Sequence, residues 1–396
     1  MWGPFRVGAR VVNDGSVAEP RQVNEPFGHD RAALLSIVIP CFNECPTLRA
    51  CVERVLDIAD QTLNLEVIIV DDGSTDDSHA VAAELESSHP AVRAIRHDSN
   101  RGKGAALRTG IKHATGDYVA IHDADLEYDP HDLKRLLEPL RQGKADAVIG
   151  SRFMASGAHR VLYYWHSVAN RILTLFSNML TDLNLTDIEC CHKVFRHDVI
   201  KSIDIEEDRF GVEPEIIAKI ARQRLRIYEA GVSYNGRSYT EGKKIGWKDA
   251  IAAIYCIMHY NLPYSSGSIQ FIFYLFVGGT AALVNLATFV ALYSTGVQVE
   301  ISAPIAFVIA AGANYLLSIT FVFRKNAQWR TTPELMIYVI VVLAVAALDL
   351  WVTKLLLLAG FSPVMAKGVA SVSALLFNYL GRRYLVFWAK PTGDWR

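Results

Sequence analysis

The stretch LEVIIVDDGS, residues 65–74, joins an unbroken apolar run to two aspartates and a glycine. A strand buried on both faces carries apolar side chains without polar alternation, so this run predicts a central strand of a covered sheet. Similar runs precede and follow it, separated by helical patterns. The predicted strands are residues 34–40, 65–74, 92–98, 118–123 and 145–153, and the predicted helices are 46–59, 76–86, 103–114 and 130–142. This alternation predicts an α/β domain with a mostly parallel sheet.

Carboxylates crowd the loop after the fourth predicted strand, in YVAIHDADLEYDP, residues 118–130. Capping of the next helix explains Asp129, but Asp123 and Asp125 precede the cap. Because like charges repel at this spacing, a divalent cation would stabilise the loop. Mg²⁺ and Mn²⁺ prefer oxygen ligands and often combine one or two carboxylates with substrate phosphates. The loop therefore predicts a metal and phosphate site, although an Asp-x-Asp motif alone is a weak signal.

Loops after other predicted strands add polar groups at the same edge of the sheet. Glu44 follows the first strand and Asp72 follows the second, and each equally fits a turn or a hydrogen-bond acceptor for a nucleoside. The segment NRGKGAALRTG, residues 100–110, lacks P-loop spacing, so its glycines predict close helix packing. In open α/β sheets, ligands bind beyond the carboxyl ends of the strands. We therefore expect one binding site there.

The rest of the chain has the composition of a membrane domain. Glu300 is the only formally charged residue between Ile269 and Phe323. Each of four apolar segments is long enough to cross about 30 Å of hydrocarbon. They are residues 269–294, 301–323, 334–358 and 363–388.

The basic residues of this region predict its orientation. Lysine and arginine occur between the second and third apolar segments and at the C-terminal end of the chain. The connection between the first and second segments and that between the third and fourth have none. The lysines and arginines are Arg324, Lys325, Arg330, Arg382, Arg383, Lys390 and Arg396. By the positive-inside rule, both termini and the α/β domain are cytoplasmic.

The apolar region also contains an internal repeat with a 64-residue offset. NYLLSITFVF, residues 314–323, matches NYLGRRYLVF, residues 378–387, at five residue identities. The same offset pairs Asn285 with Asp349. Because an aspartate within a span is costly, Asp349 and Asn285 are candidates for a function in the membrane domain. A structural contact between the helices explains them equally well.

In this order, the motifs of residues 34–262 resemble glycosyltransferase family 2, which has the GT-A fold. They are most similar to the polyprenyl-phosphate (dolichol-phosphate) hexosyl synthases. Residues 268–390 resemble the GtrA-like four-helix membrane family, which is associated with moving lipid-linked sugars across the membrane. The resemblance implies an inverting enzyme that transfers a hexose from a UDP- or GDP-sugar to polyprenyl phosphate, with Mg²⁺ or Mn²⁺ as cofactor. Its product would be a lipid-linked donor for glycan or cell-envelope assembly.

The resemblance also implies roles for individual residues. Those expected to bind the nucleotide-sugar are Pro40, Phe42, Glu44, Val70, Asp72, Asp123, Ala124, Asp125, Arg237 and Lys243. Asp125 and Glu127 would hold the metal, and Glu127 stands where the family often has glutamine. Arg152, in the motif IGSRF, and Arg160 would face the lipid phosphate. The residues with implied catalytic roles are Asp123, Asp125 and Arg152.

Four regions are expected along the chain. They are a flexible extension (1–33), a GT-A domain (34–240), amphipathic interfacial helices (241–267) and a transmembrane domain of four spans in two repeats (268–390). The expected partners are the two substrates and the membrane. The formal net charge of −1 does not suggest nucleic acid. Six cysteines fit no zinc spacing and predict reduced cytosolic thiols. Formation of a homo-oligomer stays open.

Two other functions are compatible with parts of the pattern. A processive polysaccharide synthase of the same superfamily usually carries Gln-x-x-Arg-Trp, and QRLRI at residues 223–227 lacks the tryptophan. A transport protein with a regulatory soluble domain would not need the acidic and basic residues of the site. The sequence leaves the sugar and its nucleotide undetermined.

Overall fold

A computed structural model describes residues 32–154, 160–237, 247–322 and 331–386. Its soluble part is built on a seven-stranded sheet with the order β3-β2-β1-β4-β6-β5-β7. The strands are β1 (Ala33–Cys41), β2 (Leu63–Asp71), β3 (Val92–Arg96), β4 (Tyr118–Ile121), β5 (Ala147–Ser151), β6 (Lys193–Arg196) and β7 (Ile227–Gly231). All pairings are parallel except those of β6 with β4 and β5. The predicted mostly parallel sheet is therefore confirmed.

Helices alternate with these strands as the sequence pattern predicts. They are α1 (Cys45–Leu56), α2 (Ser78–Ser88), α3 (Lys103–His113), α4 (Asp132–Arg141), α5 (Tyr164–Thr181), α6 (His197–Lys201), α7 (Val212–Arg222) and α8 (Trp247–Asn261). The first four helices begin and end within three residues of their predicted bounds. Their apolar faces pack on the sheet and form one hydrophobic core with it.

The register of the central strands brings the polar loops together. Cys41 pairs with Asp71, and Val38 pairs with Ile121, so β1, β2 and β4 end near one edge of the sheet. Their side chains between residues 67 and 70 and between 37 and 39 are completely buried. Each such aliphatic side chain stabilises the fold by about 1.5–3 kcal/mol. The buried strands therefore provide a rigid base for the loops that follow them.

The remaining helices form two hairpins. In the first, α9 (Gly267–Ser294) packs against α10 (Val299–Leu317), and in the second, α11 (Thr331–Leu358) packs against α12 (Pro363–Gly381). Each hairpin ends in a π-helical turn, at Ser318–Val322 and at Arg382–Val386. Gly296 and Gly360, both with φ near +86°, occupy equivalent positions in the two hairpin connections.

Within the described ranges, the segment Gly267–Leu292 is long and apolar enough to cross a membrane. Val308–Val322 and Met336–Val345 form shorter apolar helical segments. The four predicted spans and their orientation stay predictions. The expected interfacial region contains α8 and a short 3₁₀ turn at Leu262–Tyr264.

Candidate active site

A cavity of about 1130 Å³ lies at the edge of the sheet where β1, β2 and β4 end. It is lined by most of the residues that the sequence predicts for the soluble site. These are Pro40, Phe42, Glu44, Asp72, Asp123, Ala124, Asp125, Glu127, Arg152, Arg160 and Arg237. Sequence patterns thus identified residues from five separated segments that share one cavity.

Four predicted residues are not brought to this cavity by the described structure. Val70 is 0% exposed within β2 and packs in the core, so its side chain is not available to a nucleotide. Lys243 lies outside the described residues. In the membrane domain, Asn285 is half-buried on α9, and the side chain of Asp349 lies outside the description.

Arg237 lies among three carboxylates that come from different loops. Its Nη2 is 2.8 Å from Asp125 Oδ2, its Nε is 3.2 Å from Glu127 Oε1, and its Nη1 is 3.3 Å from Glu44 Oε1. The hydroxyl of Tyr234 donates a hydrogen bond of 2.7 Å to Glu127. The guanidinium thus neutralises part of the negative charge that the sequence places here.

Asp125 remains short of positive charge despite this contact. Burial, followed by the nearby charges of Asp123 and Glu127, raises the pKa of Asp125 to about 7, and Arg237 only partly opposes this. A divalent cation would favour the ionised form. No group of three or more His, Cys, Asp or Glu side chains is arranged for a metal in the described ranges. Asp125 and Glu127 would therefore supply two ligands to Mg²⁺ or Mn²⁺. Phosphate oxygens of the substrate would supply further ligands.

Asp123 belongs to a partly buried ionic chain that sequence analysis missed. Lys103 Nζ lies 2.8 Å from Asp123 Oδ1 and 3.1 Å from Glu213 Oε1. Glu213 also pairs with Lys193, which is completely buried. Burial alone would raise the pKa of Asp123. The charge and hydrogen bond of Lys103, together with Cys191 and His122, outweigh burial, so this pKa lies below its ordinary value. Asp123 is therefore held ionised and fixed in orientation.

The carboxylate of Glu189 also lines the cavity. Its Oε1 is buried and has no hydrogen-bond partner within the described part of the chain. Burial, followed by the charge of Glu213, raises the pKa of Glu189 to about 7. An unpaired buried acceptor can receive a hydroxyl hydrogen bond from a ligand.

Arg152 forms a rigid cation on another wall of the cavity. Its Nε and Nη2 lie 2.6 Å and 2.7 Å from the two oxygens of Asp187, and Nη2 also reaches Asn170 at 3.3 Å. The ring of Tyr234 lies 5.3 Å from its guanidinium carbon. Because Asp187 is completely buried, this fork holds Arg152 in one orientation. Its Nη1 forms no hydrogen bond to another described residue, which leaves a donor for an anion.

Asp72 holds the loop before α3. Its carboxylate accepts hydrogen bonds from the amides of Arg101, at 3.0 Å, and Gly102, at 2.6 Å, and lies 2.7 Å from Nδ1 of His97. Gly102 has φ +105°, and a Cβ there would collide with the backbone of Asp208. The tight fit of Gly102 confirms the predicted close packing around Lys103. The Lys103 ammonium lies beside Asp123.

Two segments of the chain match known families. Residues 36–204 match the model described as glycosyl transferase family 2, and residues 273–387 match the model described as GtrA/DPMS, transmembrane domain. The chain carries a family 2 glycosyltransferase domain joined to a GtrA/DPMS transmembrane domain. It is therefore a membrane glycosyltransferase, and the predicted GT-A fold class is confirmed.

Individual relatives agree with these families. Dolichol-phosphate mannosyltransferase of Pyrococcus furiosus is 26% identical over 361 residues, which cover 90% of this chain and 99% of the relative. Undecaprenyl-phosphate mannosyltransferase of Micrococcus luteus is 29% identical over 218 residues, which cover 53% of this chain and 86% of the relative. A solved structure of glucosyl-3-phosphoglycerate synthase from Mycobacterium tuberculosis, with Mn²⁺ and UDP bound, is 18% identical. Its TM-score is 0.47, with coverage of 60% of this chain and 84% of that chain.

Proposed function

We propose that this enzyme transfers a hexose from a nucleotide-sugar to polyprenyl phosphate at the cytoplasmic face of the membrane, with inversion at the anomeric carbon. The observation that carries the proposal is one cavity with two separate groups of charged side chains, each of which fits a phosphate. Asp125, Glu127 and Arg237 form one group. Arg152, whose Nη1 makes no hydrogen bond within the described ranges, forms the other. A donor diphosphate and an acceptor phosphate could therefore bind side by side.

The donor half of the reaction uses the acidic loop. Asp125 and Glu127 would hold Mg²⁺ or Mn²⁺, which supplies charge stabilisation for the departing nucleoside diphosphate. Arg237 would then exchange its carboxylate partners for phosphate oxygens, together with Lys243. Asp123, held by Lys103, would accept a hydrogen bond from the sugar or ribose. Glu44 and Phe42, which line the same cavity, would contact the nucleotide.

The acceptor half needs orientation and no general base. A phosphate monoester has a second pKa of about 6, so its oxygen is already ionised at neutral pH. Arg152 would hold this phosphate opposite the leaving group, with Arg160 as an additional cation. An acceptor oxygen forms a bond to the anomeric carbon while the bond to the donor diphosphate breaks, and no proton moves. The protein therefore contributes positioning and electrostatic stabilisation.

A stripe of exposed apolar side chains on α5 supports placement of the cavity at the membrane. The stripe is Tyr164, Trp165, Ile172, Leu175 and Met179, each between 61% and 77% exposed except Ile172 at 58%. A soluble surface helix usually carries polar residues on its outer face. Beside the stripe, Phe176 contacts Phe273 of α9, with ring centroids 6.0 Å apart. We propose that α5 and α8 both lie in the lipid interface, beside the four spans of residues 268–390.

The position of Trp165 tests this placement. The full-length wild type and the Trp165→Phe variant would be reconstituted into bilayers. The difference between their tryptophan fluorescence spectra is the emission of Trp165. We expect that component to be quenched by lipids brominated near the headgroup and shielded from aqueous iodide, because interfacial tryptophans lie among the headgroups. Quenching by iodide alone would contradict an interfacial α5.

A donor screen tests the substrate class. Full-length protein in nanodiscs, with Mn²⁺ or Mg²⁺ and undecaprenyl phosphate, would be given radiolabelled UDP-glucose, UDP-N-acetylglucosamine or GDP-mannose. We expect one donor to give a labelled lipid whose sugar is released by mild acid. Repeated addition of sugars to one acceptor would indicate a processive synthase instead. Absence of transfer from every donor, with nucleotide binding retained, would favour a transport protein with a regulatory domain.

A further inference from the structure

The internal repeat of the membrane domain surrounds one arginine with paired side chains. The 64-residue offset relates Tyr274 to Tyr338 and Asn314 to Asn378. It also relates Ser318, at the start of the first π-helical turn, to Arg382, at the start of the second. The two repeats therefore carry identical residues at the tyrosine and asparagine positions. They differ at the position of Arg382, where the first repeat has a serine.

These residues form a closed set of contacts, which we name the Arg382 cage: Tyr274, Asn314, Ser318, Tyr338 and Asn378 around Arg382. Nε donates to Asn378 Oδ1 at 3.2 Å, and Nη1 donates to Asn314 Oδ1 and, at 3.2 Å, to Ser318 Oγ. Nη2 donates to the hydroxyl of Tyr338 at 3.1 Å. The guanidinium carbon lies 4.7 Å from the Tyr338 ring and 5.5 Å from the Tyr274 ring. Both repeats therefore contribute equivalent groups to one cation.

The charge of this cage is not balanced by the contacts that form it. Arg382 is only 2% exposed, and its hydrogen-bond partners among the described residues are amides, hydroxyls and aromatic rings. No ion pair to Arg382 occurs within the described ranges. Burying a charge without a counter-ion costs several kcal/mol. Buried ionisable groups in membrane domains, and π-helical turns, are both associated with function. A mobile anion would complete this site.

An apolar cavity beside the cage indicates what kind of anion it fits. The cavity has a volume of about 170 Å³ and lies between α8, α9 and the first π-helical turn. Its lining residues Val277 and Val322 pack in one apolar cluster with Tyr274 and Tyr338 of the cage. The lining residues are Met258, Phe273, Phe276, Val277, Thr280, Leu317, Phe321 and Val322. A fixed cation next to an apolar cavity matches a phosphate headgroup attached to a hydrocarbon chain.

We propose that the Arg382 cage binds the phosphate headgroup of a polyprenyl lipid, at a site separate from the catalytic cavity. None of the cage residues lines that cavity. Binding here can be measured without donor or metal, so it is independent of whether the transfer reaction proceeds as proposed. The pseudo-symmetry supplies a specific test, because an arginine at position 318 would meet the same two asparagines from the other repeat.

The experiment measures lipid retention by full-length protein in detergent, using native mass spectrometry without nucleotide-sugar or divalent metal. The probes are undecaprenyl phosphate, the uncharged undecaprenol, and inorganic phosphate as competitor. The variants are Arg382→Ser and the exchange S318R/R382S, which moves the guanidinium to the other repeat. Asn314→Asp places a carboxylate against Arg382 at an existing contact, so it neutralises the cation while the fold is kept.

Because the catalytic cavity binds undecaprenyl phosphate under the proposed function, we expect the wild type to retain two lipid molecules. Arg382→Ser and Asn314→Asp should each weaken retention of the second molecule by about tenfold or more, as loss of a charge-assisted contact would. The exchange variant should restore it. Retention of undecaprenol should be the same in all variants. Inorganic phosphate should compete in the wild type, whereas a lipid held by its chain alone would resist it. Equal retention of undecaprenyl phosphate by the wild type and a folded Asn314→Asp variant would overturn the proposal, as would an equal loss of undecaprenol.

Discussion

Asp125→Asn is expected to lower transfer to polyprenyl phosphate by about 10³-fold, because it removes a metal ligand and transition-state charge stabilisation together. The neutral amide leaves Glu127 as the remaining carboxylate of the proposed metal pair. It also removes a negative charge that lies 2.8 Å from Arg237. Labelled product formation with saturating donor, lipid and Mn²⁺ would measure the rate. The bound fraction of Mn²⁺, followed by electron paramagnetic resonance, should fall in parallel.

Asp129→Asn provides a matched control in the same loop. Asp129 accepts a hydrogen bond from the amide of His131 at 3.1 Å and lies outside the proposed ligand set. An asparagine can keep that contact, so we expect a rate within about threefold of the wild type, in keeping with the small effects of surface substitutions. Wild-type rates for Asp125→Asn in the presence of metal would contradict the assignment of the metal site.

Arg152→Lys is expected to lower kcat/KM for the lipid phosphate by about 10²-fold, with little change in donor binding. The guanidinium contacts both oxygens of Asp187 and still keeps Nη1 for an anion. A lysine has one compact ammonium and cannot make both contacts in the same geometry. Varying the lipid and the donor concentrations separately would resolve the two effects.

Arg226→Lys is the control for this substitution. Arg226 forms a similar fork, with Nε 3.0 Å from Asp146 Oδ2 and Nη2 2.8 Å from Asp146 Oδ1, away from the cavity lining. Arg226→Lys should leave the KM for the lipid unchanged. It thus shows the effect of losing a two-bond arginine–aspartate pair without losing a proposed phosphate contact. If Arg152→Lys raised the KM for the donor alone, Arg152 would belong to the donor half of the site.

Sequence patterns predicted the elements and the edge of the sheet at which the site forms. An unbroken apolar run such as residues 67–70 predicts a buried segment, and parallel strands place their following loops together. The same rule explains why Val70 is poorly placed: its side chain belongs to the buried run and remains in the core. Asp72, just beyond that run, has its carboxylate engaged by the Arg101–Gly102 backbone.

Contacts between distant side chains could not be read from the sequence. Lys103 meets Glu213, and Arg152 meets Asp187, only because helices and loops pack across the sheet. Neither pair has a periodic or local signature. The same holds for Arg382, whose sequence position predicted membrane orientation, while its burial among paired residues depends on how two hairpins pack. A repeat offset indicates which residues are equivalent but gives no distance between them.

A comparison of two acceptor lipids tests whether the enzyme transfers sugar to the phosphate of a polyprenyl lipid. Release of nucleoside diphosphate by the full-length protein in nanodiscs would be followed with the donor selected by the screen and Mn²⁺. The acceptor would be undecaprenyl phosphate or undecaprenol at equal concentration. We expect release coupled one-to-one to glycolipid formation with undecaprenyl phosphate, and only background hydrolysis with undecaprenol. Equal rates with both lipids, or transfer to a hydroxyl of undecaprenol, would contradict this expectation.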